Sequence, residues 1–416
     1  MSSRATRVVH DDIGRQSATP RNDRAVMSSR AVVRERTRAR ESTHLPRRRA
    51  RCLPLARAND ASSDERTAFI FGLGYLGGAV AREFARDGYV VRGTFRASDA
   101  PGTSTLDVVS RAYEWDGEGA CEAIEREVRA ATRVVSCVPP TRGTGTDGWK
   151  DPVYDAFASA VTSRLEEDGN GMRFFGYASS TSVYGDHRGE IVDETSACRP
   201  RSAKARARFE SEERWRALAR ESNGRVTMTT FRLGGIYGPG RSALDVVLRR
   251  ARGERESASQ RARRTRRFTS RVHVDDAARL VVAAANAGRR ASDVYNVVDD
   301  HPMSRRDAVS FAEQILNVPS VEGQSDDDDD DDAGGERARG EKRARNRRMK
   351  ETLATFGDGA SMLYPSVYHG LLRIAASRGI LASRASEDEF NAWFDERFDA
   401  LFDGEYARVA LEELRS

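Results

Sequence analysis

A doubly wound α/β fold, with one parallel sheet of about seven strands and helices on both faces, is what this sequence predicts. Two observations predict it. Short apolar runs of strand length alternate with longer segments of helical periodicity from Thr67 to Val298. The first strand runs straight into Gly72-Leu-Gly74-Tyr-Leu-Gly77 and the first helix follows at once.

The elements can be justified in order. Ala68 to Phe71 reads as a buried parallel strand. Behind the glycines, Leu76, Val80 and Phe84 recur at helical spacing until Asp87-Gly88 stops the helix. Strand, glycine turn and helix form a dinucleotide fingerprint of the Rossmann type. Gly72 permits the tight turn, Gly74 lets the backbone approach a pyrophosphate, and Gly77 lets the helix pack close to the strand. The helix start, with Tyr75 and Leu76, offers free N–H groups and a partial positive charge to the phosphates. Tyr89 to Phe95 is the second strand and Arg111 to Asp116 the third; the helix Cys121 to Ala131 leads to the strand Arg133 to Val138, closed by Pro139-Pro140. A helix from Pro152 to Glu167 follows a polar glycine loop. Met172 to Ala178, Val226 to Leu233 and Val294 to Val298 are the fifth, sixth and seventh strands, separated by helices Ala203 to Ser222 and Val274 to Ala287. The binding domain so drawn spans 65–298, with 236–270 contributing to the substrate side. Residues 299–416 form a small, mostly helical substrate domain, with apolar spacing at Val367 to Ala376 and again from Phe390 to Phe402.

Two segments interrupt the pattern. Arg249 to Arg271 is laden with arginine, and 319–350 holds the run Asp326 to Asp332 followed by a basic block. Runs of like charge repel and stay solvated, so the second is expected to be a disordered insert. Residues 1–64 lack apolar periodicity, are rich in Arg, Ser, Thr and Ala, and contain no lysine. They read as a transit peptide, which places the protein in the plastid stroma, with the mitochondrion as the alternative. A basic arm that touches nucleic acid is the rival reading of the same residues.

With 416 residues and a charged fraction of 32%, much of the chain is not core. No apolar run approaches the roughly 18 residues of a membrane span, so no membrane partner is expected. Cys52, Cys121, Cys137 and Cys198 show no metal-ligand spacing, and the histidines are scattered, so neither disulfides nor a structural metal is expected. Of 69 basic residues only Lys150, Lys204, Lys342 and Lys350 are lysine. That skew reads as a nucleotide-composition habit and weakens the argument that any one arginine was chosen for its chemistry.

Arg96 lies just past the second strand, where an acid would meet the ribose of NAD and an arginine the 2′-phosphate of NADP. NADP is therefore the expected cofactor, with NAD the alternative. Asp116 ends the third strand, near the adenine. Ser136 to Pro140, with Ser136 and Pro139 named as contacts, would line the nicotinamide trough beyond the fourth.

Five further segments occur in order: Ser179-Ser-Thr-Ser-Val-Tyr-Gly185, Val192-Asp-Glu-Thr195, Phe231-Arg-Leu-Gly-Gly-Ile-Tyr-Gly-Pro-Gly-Arg241, Arg271-Val-His-Val-Asp-Asp276 and Tyr295-Asn-Val-Val-Asp299. Over about Thr67 to Asn317 the chain resembles the extended short-chain dehydrogenase/reductases, in their NAD-dependent epimerase/dehydratase branch, and its Gly-Leu-Gly-Tyr-Leu-Gly start resembles an atypical subgroup. The resemblance implies a Ser/Thr, Tyr and Lys set, in which a tyrosine phenolate exchanges a proton with the substrate hydroxyl. Ser180 matches the Ser/Thr, with Thr181 its neighbour on the substrate side. At the Tyr-x-x-x-Lys position this chain has Lys204 and Arg208, and none of its tyrosines has a lysine four residues later. Arg208 could still contact ribose. Tyr184, Tyr237, His187 and Lys204 are the candidate replacements for the missing tyrosine. Tyr184 and Tyr237 read equally as loop anchors, and His273, Asp275 and Asp276 as a helix cap that joins domains. Arg241 is the candidate grip on an anionic substrate, and Trp149 a candidate wall of the same pocket.

The function expected is that of an NADP-binding epimerase/dehydratase-like protein acting on a small hydroxylated, nucleotide-linked or phosphorylated substrate. A non-catalytic fold reused for binding plastid RNA, through Arg249 to Arg271, is the alternative. The resemblance also implies a homodimer through helices flanking the sheet.

Overall fold

The computed structural model describes residues 66–143, 148–163, 173–222, 224, 226–254, 266–318, 341–359 and 361–380. The expected transit segment, most of the acidic insert and the aromatic stretch from Phe390 lie outside these residues. Seven strands form one sheet: β1 Thr67–Phe71, β2 Val90–Phe95, β3 Val109–Glu114, β4 Arg133–Ser136, β5 Arg173–Ser180, β6 Val226–Leu233 and β7 Val294–Val297. Their order is β7-β6-β5-β4-β1-β2-β3 and every pairing is parallel. The chain reverses direction of travel across the sheet between β1 and β4. A crevice therefore opens beyond their carboxyl ends.

Both faces of the sheet are covered, so its strands are largely buried and their apolar residues sort by parity. Ala68 and Ile70 of β1 point into one core, where they meet α1 (Tyr75–Arg86) and the helix Val274–Ala287. Phe69 and Phe71 point into the other, with α2 (Glu122–Ala130) and α3 (Pro152–Ser163). There Phe71, Trp115 and Phe157 form an aromatic cluster, and Trp215 of α4 (Ala203–Glu221) stacks on Phe175 with ring centroids 4.0 Å apart. Buried Arg173 donates to the carbonyls of Ala160, Val161 and Arg129, so one guanidinium caps the ends of α2 and α3.

The small lobe is built from α5 (Ala243–Ala251), α7 (Arg305–Leu316) and α9 (Val367–Ser377), with α6 being Val274–Ala287. A Ser242/Asp245 capping box starts α5 at the edge of the arginine-laden stretch. The expected helix cap holds: His273 Nδ1 accepts from Asp275 N, while Asp276 accepts from the Leu363 and Tyr364 amides and ties α6 to the later chain.

Several boundaries differ from expectation: β4 stops at Ser136 rather than Val138, and β5 runs on to Ser180 rather than Ala178. β3 begins at Val109 rather than Arg111, because a register shift between Val91 and Arg92 moves its pairing with β2. Glu341 to Lys350, expected inside the charged insert, is ordered. Arg343–Ala344 pairs in parallel with Ile191–Val192, and α8 (Arg347–Phe356) buries Met349 and Leu353 against the sheet core. Backbone pairing and two apolar anchors outweigh the local charge there.

Candidate dinucleotide and substrate site

The carboxyl ends of β1, β2, β4 and β5 open into one cavity of about 1330 Å³. Its floor is the glycine turn. Gly72 has φ +86°, which lets Gly72 N donate to Thr94 Oγ1 at 3.0 Å. A Cβ on Gly74 would meet no atom within 4 Å, so the backbone there faces open space. No side chain caps α1, whose first N–H groups are left for a ligand. Gly77 is not on the cavity wall. A Cβ there would sit 2.0 Å from Gly72 O, so its role is to bring α1 onto β1.

Most of the other expected contacts are on the wall: Tyr75, Leu76, Arg96, Asp116, Pro139, Ser180, Thr181, Lys204, Arg208 and Arg241. Arg96 is exposed and paired with Asp99; Arg82 of α1, also on the wall, donates to Thr105 Oγ1. Asp116 is exposed and accepts from Glu118 N. Tyr75 OH donates to Pro239 O at 3.3 Å, and Arg241 lies over its ring, 5.3 Å from the centroid. The start of α1 is thereby joined to the Gly238–Arg241 turn; burial pushes the Tyr75 phenol up to about 12. Ser180 Oγ accepts from Ser182 N at 3.2 Å, a bond that does not use its own hydrogen. Arg208 Nη1 donates to Ala178 O at 2.9 Å. Lys204 is largely exposed on the first turn of α4; partial desolvation and then the Arg208 charge lower its pKa.

Five of the expected residues lie elsewhere. Tyr184 is fully buried: its OH donates to Asn296 Oδ1 at 2.7 Å and accepts from Arg232 Nη1 at 3.0 Å. Burial pushes its phenol up to about 12. Tyr184 anchors its loop and is not on the cavity wall. Tyr237 is likewise buried, donating to Ser366 O at 3.1 Å, and His187 Nε2 lies 3.1 Å from Ala197 O. Ser136 is buried inside the sheet, because β4 ends there and its side chain points into the layer. Trp149 pairs with Arg142 in a short antiparallel ribbon, off the cavity wall. Tyr184→Phe should therefore lower stability by about 1–3 kcal/mol, from stranding two buried partners. NADPH affinity, read by fluorescence titration, should be unchanged.

Among the wall residues that the sequence did not point to are four cations: Arg82, Arg201, Arg266 and Lys342. Lys342 carried a signal, since it is one of four lysines in an arginine-dominated chain. With Lys204, Arg208 and Arg241 they make the wall rich in cations; Asp99, Asp116 and Asp275 are acids on the same wall. Part of the basic stretch is spent on contacts within the chain: exposed Arg267 pairs with Glu341, and Arg271 donates to the carbonyls of Thr269, Met303 and Ser304.

No cluster of metal-ligating side chains and no helix long and apolar enough to cross a membrane occurs among the described residues. No curated protein matches the chain in sequence. Among solved structures, a functionally unknown conserved protein from Silicibacter pomeroyi DSS is 27% identical, with a TM-score of 0.55 over 75% of this chain and 99% of that one. UDP-glucuronic acid 4-epimerase from Bacillus cereus, solved in complex with NAD, is 16% identical (TM-score 0.51, 77% of this chain, 99% of that one). dTDP-glucose 4,6-dehydratase from Bacillus anthracis str. Ames, also with NAD, is 11% identical (TM-score 0.53, 76% and 98%). At those identities the two enzymes share the fold. The sequence profile of the NAD dependent epimerase/dehydratase family matches residues 68–297, more than half of the chain, and the protein belongs to that family.

Proposed function

We propose that this protein binds NADP and acts as an oxidoreductase or epimerase on a small hydroxylated substrate that carries phosphate, free or nucleotide-linked. The observation that carries the reading is the single cavity running from the glycine cradle to Ser180, with cations along its wall. Gly72 and Gly74 and the start of α1 would hold the pyrophosphate. Arg96 and Arg82 would meet a 2′-phosphate and Asp116 the adenine. Bound there, the nicotinamide would supply hydride donation and acceptance. Ser180 would orient and polarise the substrate oxygen, and Arg241 and Arg208 would neutralise an anionic substrate. The Tyr-x-x-x-Lys pair is replaced by Lys204 and Arg208. In the same reading the protein resides in the plastid stroma, or in the mitochondrion, after losing its first 64 or so residues, and pairs through its sheet-flanking helices.

NADPH fluorescence enhancement tests the binding half, and Arg96→Ala tests the cofactor choice. A charge-assisted contact to phosphate is worth about 1.5–3 kcal/mol. The variant should therefore lose about 10- to 100-fold in NADPH affinity and little in NADH affinity. Equal losses for both dinucleotides would remove Arg96 from the 2′-phosphate, and no binding by the parent would remove the reading itself.

A further inference from the structure

Lys342 belongs to none of the family motifs, yet it faces the same cavity as Ser180. Its strand is clamped on both sides. Glu341 O accepts from His187 N at 3.0 Å and Gly189 N at 3.1 Å, Arg343 N donates to Glu190 O at 3.0 Å, and Arg345 N donates to Val192 O at 2.9 Å. Glu341 is itself pinned, donating its N–H to Asp186 Oδ1 and accepting from Arg267 N at 2.9 Å. From this clamp the lysine reaches back, and Nζ donates to Gly185 O at 3.1 Å. The turn Ser180–Gly185 thus holds a serine hydroxyl at one end and an amine at the other, both on the cavity wall.

We propose that Lys342 is the acid–base group of this site, exchanging the proton of the substrate hydroxyl that Ser180 orients. The proposal rests on the reading of the cavity as a nicotinamide-dependent carbinol/carbonyl site. In the oxidising direction the O–H bond breaks and its proton passes to the neutral amine, giving an ammonium. The electron pair of the carbinol C–H bond leaves as hydride to the nicotinamide dinucleotide, and the substrate becomes a ketone. The reverse direction returns both to the carbonyl.

The charges around Lys342 suit that role. Among the described residues no carboxylate pairs with Nζ; Asp186 is the acid nearby, and it is shared with Arg201 at 3.5 Å and with the amides of Arg188 and Glu341. Arg266 adds a like charge. Burial first, and then Arg266, push the ammonium down to about 8 against the pull of Asp186. An amine at that value carries both protonation states near neutral pH, as an acid–base group must. Lys204 has the family register on its side, but it is exposed at the start of α4. Lys342 is held in one geometry, and a fixed group spends less freedom in reaching its transition state.

The test uses the full chain, whose four lysines can be reductively ¹³C-dimethylated and followed by NMR, with Lys342→Arg assigning the resonance. It should titrate near pH 8. It should also acidify between the NADPH and NADP⁺ complexes, because the oxidised ring carries one more positive charge. Unit charges about 5 Å apart at an effective dielectric of about 20 change an acid constant by about 100-fold, so a change of about tenfold or more is expected. A resonance titrating near pH 10, or the same constant in both complexes, would overturn the proposal while leaving dinucleotide binding intact. Failure of both dinucleotides to bind, read by fluorescence on the same sample, would overturn the reading of the cavity and the proposal with it.

Discussion

Alanine at Gly77 should cost the protein both stability and its dinucleotide, whereas alanine at Gly74 should cost it only the dinucleotide. The two glycines are three residues apart and do different things. A Cβ at Gly77 would lie 2.0 Å from Gly72 O, 2.9 Å from Gly72 C and 3.3 Å from Ile70 Cγ2. The first two are backbone atoms of the cradle and cannot turn aside, so α1 must lift away from β1. That helix buries Ala79, Val80, Ala81 and Phe84, and its other side packs on α6, so the displacement spreads through one whole core. Overpacking of this kind costs about 1–3 kcal/mol. For a domain of this size that is a fall of about 3–10 °C in Tm. Moving α1 also withdraws its N–H groups from the phosphates, and NADPH affinity should fall at least tenfold. At Gly74 a Cβ meets nothing, and φ −77° suits any residue. Stability should change by less than about 1 kcal/mol, the cost of a poorer N-cap. Affinity should again fall about tenfold or more, because the methyl occupies the space the pyrophosphate needs. Thermal melts and NADPH titrations on the two variants separate the effects. A Gly74→Ala protein with parental affinity would mean that the phosphates do not pass there.

This cradle was legible because its signals are local: an apolar run, three glycines and a helical stripe within twenty residues. The parity of β1, which sends Ile70 to one core and Phe71 to the other, follows from the same run. What was not legible depends on distant partners. Met349 and Leu353 lie one turn apart, yet the surrounding Arg347, Arg348 and Lys350 make the segment read as a solvated block until the sheet face they cover is known. Tyr184 stands in a family motif beside Ser180, and only Asn296, 112 residues later, shows that it points inward. Lys342 reaches the cavity because Arg343–Ala344 adds to Ile191–Val192, a pairing of two residues that no periodicity announces. Ser136 was misplaced by one position of parity at the strand end: the wall begins at Cys137.

The second large effect concerns the buried charges behind the Ser180 turn. Glu212 of α4 is fully buried and Arg232 of β6 nearly so. They meet through Nη2 and Oε2 at 2.8 Å, with Nε 3.2 Å from the same oxygen. Ser179 Oγ donates to the other carboxylate oxygen, Arg232 Nη1 donates to Tyr184 OH, and that hydroxyl donates to Asn296. The carboxylate thus ties together α4, β5, β6 and the turn that carries Ser180 and Gly185. Glu212→Ala would leave the Arg232 guanidinium buried without its counter-charge, and breaking a buried pair from one side costs about 3–5 kcal/mol. That would be a large fraction of the stability of an ordinary domain. The pair itself is a poor source of net stability, because burying two charges costs about what their attraction returns. Glu212→Leu with Arg232→Met should therefore recover most of the loss, and a double-mutant cycle by denaturant melts measures the coupling. Function should divide differently. The double variant should bind NADPH normally, since neither residue faces the cavity, but it frees Ser179 and Tyr184 and lets the Ser180–Gly185 turn move. If the double variant is as unstable as Glu212→Ala, the charge pair is not what fails, and the carboxylate acts instead through Ser179 and the strand end it fixes.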